Sequence, residues 1–214
     1  MIIDNIEHDW KIFYGKDKLF PYLYIDNWYT KEEEEYVWKE LDYWSSLGFE
    51  SSETIIAKDI KTNESLGKHL RIYLNEMYTA KAIPLSPTWA YTYKFRSPEF
   101  HKILDDFSPM YLNFKATTNT SHFLSYYDQS HYYDSHYDAA PFTCLIYFYK
   151  KPKNFKGGDL EFFNGDKVKC EHNRMVIFPG WGKHASTPLK LKNKNLVLSG
   201  KYTITHFYFG IPLK

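Results

Sequence analysis

FTCLIYFYK, residues 142–150, is the centre of a series of short apolar and aromatic runs that decide the fold. The remaining runs are SHFLSYY at 121–127, DLEFF at 159–163, NRMVIFP at 173–179, NLVL at 195–198 and KYTITHFYF at 201–209. Their β-branched and aromatic residues favour strands, and Gly and Asn mark the turns between them. The pair Asn164-Gly165 predicts a hairpin. The chain from residue 118 onward therefore predicts a β-barrel or jelly roll.

Helices are predicted in the first half of the chain. Thr30 followed by Glu33 is a capping-box pattern, which predicts a helix that continues to Trp44 and packs its apolar side on a sheet. A second helix is predicted to begin after the cap Ser97 and to end near Phe107. Strands in this half are predicted at residues 20–25, 54–57 and 90–94, and residues 66–82 fit either a helix or a strand.

The fold class that follows is mainly β with N-terminal helices, an α+β chain built on a jelly-roll core. At 214 residues the chain suits one domain of ordinary size. We therefore expect a single domain over residues 1–214, in which residues 1–117 form a helix and strand buttress and residues 118–214 form the β core.

The charge balance disfavours partners that bind through a strong electrostatic field. Lys and Arg number 27 against 26 Asp and Glu, so the net charge is +1 and gives no reason to expect a nucleic acid or a membrane surface. No apolar stretch reaches the roughly 18 residues that span a bilayer, and the first residues lack a secretion-signal pattern, so we expect a cytoplasmic location. Cys144 and Cys170 lack disulfide or zinc spacing and are expected to be buried free thiols.

A histidine and an aspartate stand two residues apart before the FTCLIYFYK run. His136 and Asp138 therefore share one face of an extended segment, and His184 follows the NRMVIFP run. Two imidazoles and one carboxylate are the ligand set of non-haem iron(II) sites with open coordination positions. Taken alone, the triplet is also compatible with a surface turn histidine and a hydrogen-bonded polar residue.

Four blocks place this triplet in a wider pattern. They are residues 124–138 with the HxD motif, residues 142–148, the Gly-Gly-Asp-Leu turn and strand at 157–162, and residues 173–205 with His184. In this order the blocks resemble the prolyl-hydroxylase-like 2-oxoglutarate oxygenases, which are built on a double-stranded β-helix. The resemblance covers roughly residues 118 to 210. It implies that His136, Asp138 and His184 bind Fe(II) and that 2-oxoglutarate is the cosubstrate.

The resemblance also implies residues for the distal carboxylate of 2-oxoglutarate. Lys201 matches the family's buried cation, since an ammonium group can neutralise a buried carboxylate. Lys194 is a rival cation, although its neighbours form a polar turn. Tyr147 and Thr205 match supporting hydroxyl groups. Tyr127 matches a tyrosine near the cosubstrate, and a register slip of one residue would put Tyr126 there instead.

The implied activity is that of a dioxygenase, which uses O2 and 2-oxoglutarate to hydroxylate a substrate C–H bond and releases succinate and CO2, with ascorbate as an optional reductant. A prolyl residue of a protein is the leading substrate by resemblance, and a peptide or small molecule remains open. Residues 1–117 are the natural place for a substrate lid. The alternatives are an AlkB-type oxidative demethylase, which the presence of Phe207 in place of a second arginine weakens, a non-catalytic binding module, and a cupin-like zinc enzyme.

Overall fold

The computed structural model describes residues 8–48, 50–51, 58–59, 61–79 and 81–210. The strands are β1 (Lys11–Tyr14), β2 (Leu23–Asp26), β3 (Glu50–Ser51), β4 (Gly67–Lys68), β5 (Leu70–Tyr73), β6 (Asn119–Tyr127), β7 (Tyr132–His136), β8 (Phe142–Phe148), β9 (Phe155–Lys156), β10 (Leu160–Phe162), β11 (Lys167–Val168), β12 (Arg174–Pro179), β13 (His184–Ser186), β14 (Lys190–Leu191) and β15 (Lys201–Phe209). The α-helices are α1 (Lys31–Leu47), α2 (Leu74–Met77), α3 (Pro87–Ala90) and α4 (Pro98–Phe107), and 3₁₀ turns cover Ile83–Leu85, Tyr91–Arg96 and Pro109–Ala116.

Two antiparallel sheets form the body of the fold. The larger sheet has the order β1-β2-β12-β8-β15-β6-β5-β3, and the smaller one has the order β11-β10-β13-β7-β4. β14 and β9 form a separate pair. The prediction of a mainly β jelly roll with N-terminal helices is confirmed. Strands from the first half of the chain, β1, β2, β3 and β5, belong to the larger sheet.

β15 shows how the larger sheet separates a core from a cavity. Successive side chains of a strand point to opposite faces. Tyr202, Ile204 and Tyr208 pack in a core cluster with the helices. The alternate residues, among them Lys201 and Thr203, line a cavity shared with the smaller sheet. Because successive residues of β15 alternate between the two faces, one side of the strand packs in the hydrophobic core and the other forms a polar wall of the cavity.

Helix α1 begins as its capping box predicts. The Glu33 N–H donates to Thr30 Oγ1 at 3.2 Å, and the Thr30 N–H donates to Glu33 Oε2 at 2.8 Å. The helix ends at Leu47, beyond the predicted Trp44. Trp44 and other apolar residues of the helix pack into the core against the larger sheet. Helix α4 has the predicted cap, because Ser97 Oγ accepts from the Phe100 N–H at 3.2 Å.

The strand predicted at residues 90–94 is wrong. These residues end α3 and form the 3₁₀ turn that follows it. Ser86 caps α3 by accepting a hydrogen bond from the Trp89 N–H, and the proline after it favours a helical start. This local signal outweighs the β propensity of the aromatic residues. The strand predicted at 54–57 lies outside the described residues, and the ambiguous segment 66–82 contains two strands followed by α2.

The strand predicted at NLVL, residues 195–198, is wrong, because these residues form turns in which Leu196 and Val197 are exposed. The strand predicted at residues 20–25 forms only from Leu23, as β2.

The hairpin and the cysteine predictions agree with the structure. The Asn164-Gly165 hairpin joins β10 to β11, with Gly165 at a φ of 86°. Cys144 and Cys170 are buried free thiols. None of the helices in the described part of the chain has the length and apolar character needed to cross a bilayer.

Candidate active site

Strand pairing brings the predicted metal ligands together. His136 ends β7, His184 begins β13, and these two residues are register partners. Asp138 lies just past β7, where its N–H donates to the Gly180 carbonyl at 3.0 Å. One nitrogen or oxygen atom of each of the three side chains lies within 4.8 Å of the other two. Residues far apart in sequence thus form one compact group of donors.

Hydrogen bonds orient both imidazoles. Nδ1 of His136 donates to the Asp134 carbonyl at 2.7 Å, and Nδ1 of His184 donates to the Gly182 carbonyl at 2.8 Å. Since a carbonyl only accepts, each Nδ1 carries the proton, and in the neutral form of either ring the lone pair lies on Nε2. These Nε2 atoms lie 3.6 and 3.4 Å from the oxygens of Asp138. The free lone pairs therefore converge on the carboxylate.

The protonation states of the group suit a divalent cation. Burial acts to raise the pKa of Asp138, but His184, His136 and a hydroxyl group together hold that pKa below its usual value. Burial lowers the pKa of His184, although Asp138 opposes the shift. At neutral pH the group therefore offers a carboxylate and a neutral imidazole, which are the forms that bind metal. Two nitrogen donors and one oxygen donor fit Fe(II).

Neighbouring side chains fix these donors in place. Thr143 Oγ1 donates to Asp138 Oδ2 at 2.6 Å. The Tyr133 ring stacks on His136 with 3.6 Å between ring centroids, and Phe178 packs edge-on against His184. Such supporting contacts set the orientation of metal ligands and their basicity.

The donors open onto a cavity of about 370 Å³ between the two sheets. Lys201 also lines this cavity, and only 2% of it is exposed. Its Nζ donates to the Gly158 carbonyl at 3.0 Å and to Ser186 Oγ at 2.6 Å, and lies 3.9 Å from the centroid of the Tyr127 ring. Burial lowers the pKa of Lys201 to about 8. No carboxylate pairs with this ammonium group within the described residues.

The other predicted residues also face the cavity. Tyr147, Tyr127 and Thr205 are buried and line it. Tyr126 instead points to the opposite face, where it packs in the helix-side core and its hydroxyl accepts from the Gly200 N–H at 3.1 Å. Lys194 is exposed to solvent. The structure thus selects Tyr127 and Lys201 as the residues that reach the cavity.

Gly157 and Gly158 serve the geometry of the turn beside Lys201. Their φ angles are 76° and 70°, which disfavour residues with a side chain. A Cβ atom at Gly157 would lie 2.1 Å from the Pro188 carbonyl oxygen. The turn therefore requires glycine at this position.

Thr203 and Arg71 are among the cavity residues that were missed in the sequence. Thr203 lies between Lys201 and Thr205 on the cavity face of β15, so strict alternation could have identified it. Its Oγ1 is buried and has no hydrogen-bond partner among the described residues. Arg71 lies on β5 in the segment that fitted either a helix or a strand, so its direction could not be predicted without the sheet.

A family comparison agrees with this geometry. Residues 121–209 match the model described as the 2OG-Fe(II) oxygenase superfamily. This part of the chain is similar to that superfamily. Members of that superfamily use Fe(II) and 2-oxoglutarate, and the His136, Asp138 and His184 donors of this chain fit iron. No curated protein sequence matches the chain.

Solved prolyl hydroxylases share the fold of this chain. A prolyl-4-hydroxylase of Pseudomonas putida is 13% identical with a TM-score of 0.53, and the match covers 96% of this chain and 94% of that chain. A prolyl 4-hydroxylase of Phytophthora capsici is 17% identical with a TM-score of 0.56, covering 90% of this chain and 59% of that one. The viral collagen prolyl hydroxylase of Paramecium Bursaria Chlorella virus-1, solved as a 2OG complex, is 14% identical with a TM-score of 0.51, covering 87% and 94%. These likenesses establish a prolyl-hydroxylase-like fold.

Proposed function

We propose that the protein is an Fe(II)- and 2-oxoglutarate-dependent dioxygenase that hydroxylates a C–H bond of its substrate and releases succinate and CO2. One observation carries this proposal: the His136, Asp138 and His184 donors line the same cavity as the buried Lys201, which pairs with no carboxylate among the described residues. A prolyl residue is the first candidate for the hydroxylated group, because of the fold that the chain shares with prolyl hydroxylases.

The side chains of the triplet would hold the metal and leave its cavity side open. His136 and His184 would supply neutral Nε2 atoms, and Asp138 would supply a carboxylate oxygen. Bound iron and 2-oxoglutarate supply the oxidising chemistry that activates O2. The contribution of the protein is ligand orientation and a cavity between the two sheets, and the reaction needs no separate side-chain base.

The wall formed by β15 and its neighbours would hold the cosubstrate. The Lys201 ammonium would pair with the distal carboxylate, and the hydroxyls of Tyr147, Tyr127 and Thr205 would support it. The partnerless hydroxyl of Thr203 is available for the same purpose. We further propose that residues 1–117 and 118–214 act as one oxygenase domain, since β5 contributes to the wall of this cavity.

An anaerobic titration with Fe(II) and 2-oxoglutarate tests the proposal. We expect a weak visible charge-transfer band, followed by O2-dependent formation of succinate when air is admitted. A folded, metal-loaded protein that gives neither signal would contradict the oxygenase function and would favour a binding module.

The hydroxyl of Thr143 is expected to support metal binding. Thr143→Val keeps the volume of the side chain but removes the hydrogen bond to Asp138 Oδ2. We expect Fe(II) affinity to fall by about 10- to 100-fold, as is usual for residues that orient metal ligands. Anaerobic metal titration measures the effect, and the melting temperature of the metal-free variant controls for misfolding. Unchanged affinity in a folded variant would mean that Asp138 needs no such support.

Cosubstrate affinity is expected to depend on the protonation of Lys201. Burial lowers its pKa to about 8, and a bound carboxylate would favour the charged form. The affinity for 2-oxoglutarate should therefore be highest below about pH 8 and should fall by up to about tenfold for each pH unit above it. Calorimetry of 2-oxoglutarate binding to protein saturated with Mn(II), between about pH 7 and about pH 9.5, measures this dependence. A flat profile would show that Lys201 does not pair with the carboxylate.

A further inference from the structure

Arg71 is a second buried cation in the wall of the cavity. It is 7% exposed and lies on β5. Its Nη1 donates to the Tyr73 hydroxyl at 3.2 Å, its Nη2 lies 2.9 Å from His69 Nε2, and its guanidinium group stacks over Phe123 at 4.2 Å. Its Nε is buried and has no hydrogen-bond partner among the described residues. An arginine placed in this way has donor capacity left for a ligand.

Nothing in the described part of the chain neutralises this guanidinium group. Arg71 forms no salt bridge there, and its nearest titratable contact is His69. Burial, followed by the charge of Arg71, lowers the pKa of His69 to about 2. His69 is therefore neutral, and its Nε2 accepts a hydrogen bond without contributing charge. A buried cation without a counter-ion is costly, so an anion at this position would be stabilising.

The charges around the cavity point to the substrate as the source of that anion. Arg71 and Lys201 are the cations of the wall, and Asp138 is the carboxylate of the wall. In the proposed function, divalent iron is balanced by doubly negative 2-oxoglutarate, and Asp138 offsets one of the two cations. One positive charge then remains in a low-dielectric site, and one further carboxylate would balance it.

Strand order places two strands, β15 and β6, between Arg71 and Tyr147, a residue assigned to the cosubstrate. Arg71 is the register partner of Ser125 on β6, and Ser125 is the partner of Thr203 on β15. Thr203 in turn is the partner of Tyr147 on β8. These four side chains form one row across the sheet, with Arg71 at the end opposite Tyr147. Arg71 therefore lies at the far end of the row from Tyr147, next to Ser125, which is not assigned to the cosubstrate.

We propose that Arg71 binds a carboxylate of the substrate, so that the oxygenase acts on a carboxylic acid rather than on an uncharged internal residue. The carboxylate belongs either to a free amino acid derivative or to the C-terminus of a peptide. For a prolyl substrate this means an acid form of proline or a C-terminal prolyl residue. The inference rests on the proposed function and adds the substrate class to it.

Matched acids and amides test this assignment. The probes are N-acetyl L-amino acids, proline included, each as the free acid and as the primary amide, and acetylated prolyl tetrapeptides with a free or amidated C-terminus. Calorimetry is performed on full-length protein saturated with Mn(II) and 2-oxoglutarate, so that binding is measured without turnover. Arg71→Gln removes the charge and Arg71→Lys retains it. Arg174→Gln is the matched control, because Arg174 pairs with Asp26 outside the cavity.

We expect at least one acid to bind wild-type protein about tenfold or more tightly than its amide, the ratio typical of a charge-assisted hydrogen bond. Arg71→Gln should abolish this preference, Arg71→Lys should keep part of it, and Arg174→Gln should keep all of it. Affinity for 2-oxoglutarate should change by less than about twofold in Arg71→Gln. Stronger binding of the N-acetyl acids would identify a small substrate, and stronger binding of the tetrapeptide acids would identify a C-terminal one.

Three outcomes would overturn the inference: no acid that binds better than its amide, a preference that survives Arg71→Gln, or a loss of 2-oxoglutarate binding in Arg71→Gln as large as that in Lys201→Ala. Failure of the proposed function is read separately, from the absence of the Fe(II) charge-transfer band. The acid and amide comparison does not depend on that band.

Discussion

Replacing His184 with alanine is expected to abolish the Fe(II) and 2-oxoglutarate charge-transfer band and to reduce succinate formation below detection. His184 supplies one of only two imidazole donors in the triplet. Loss of a residue that only orients a metal ligand lowers metal affinity about 10- to 100-fold. Loss of a ligand itself should lower the affinity by more than that. Anaerobic Fe(II) titration followed by the visible band, with succinate measured after exposure to air, gives both values.

The matched control is His101→Ala, which removes a half-buried histidine on α4, away from the cavity. This variant should keep the band and the activity. His184→Ala should remain folded, because His184 lines an existing cavity and belongs to neither hydrophobic core cluster. Retention of full iron affinity in a folded His184→Ala protein would exclude the triplet as the metal centre.

Local signals in the sequence predicted much of the fold. The capping pair Thr30 and Glu33 and the cap Ser97 act within one helical turn, so they can be found without knowledge of distant contacts. Asn164-Gly165 predicted the hairpin for the same reason. The HxD spacing was also local, since a two-residue period places His136 and Asp138 on one side of the chain.

Contacts between distant segments explain what the sequence could not predict. His136 and His184 come together because β7 pairs with β13. Their grouping was predicted from the family resemblance in motif order and not from local physical signals. The choice between Tyr126 and Tyr127 needed the register of β6 against β15, because a shift of one residue exchanges the two faces. Arg71 was missed for the same reason.

The two faces of β15 explain why this site carries unpaired polar groups. The outer face contributes Tyr202, Ile204 and Tyr208 to the hydrophobic core, which holds the strand in place. Among the described residues, the inner face can then carry Lys201 without a carboxylate partner and Thr203 without a hydrogen-bond partner for its hydroxyl. Buried polar groups of this kind are destabilising, and the rest of the fold offsets that cost. Such groups are typical of sites that bind a ligand.

Lys201→Met is expected to separate cosubstrate binding from folding. The methionine keeps an unbranched stem of similar length but cannot neutralise a carboxylate, so 2-oxoglutarate affinity should fall by about 30- to 1,000-fold, the cost of about 2–4 kcal/mol for an unpaired buried charge. Binding of Fe(II) alone should be retained, since Lys201 contacts Gly158 and Ser186 rather than the triplet.

The stability of Lys201→Met without cosubstrate tests whether the lysine is needed for folding. Replacing an unpaired buried ammonium group with an apolar side chain relieves desolvation, so the free energy of unfolding should change by less than about 1 kcal/mol or increase. Lys194→Met changes an exposed lysine in the connection before β15 and should alter neither 2-oxoglutarate affinity nor stability. If Lys201→Met bound 2-oxoglutarate normally, the distal carboxylate would have to pair elsewhere in the cavity, and Arg71 would become its partner. A variant that loses the cosubstrate while keeping its stability would instead mean that the buried charge of Lys201 serves the ligand and not the fold.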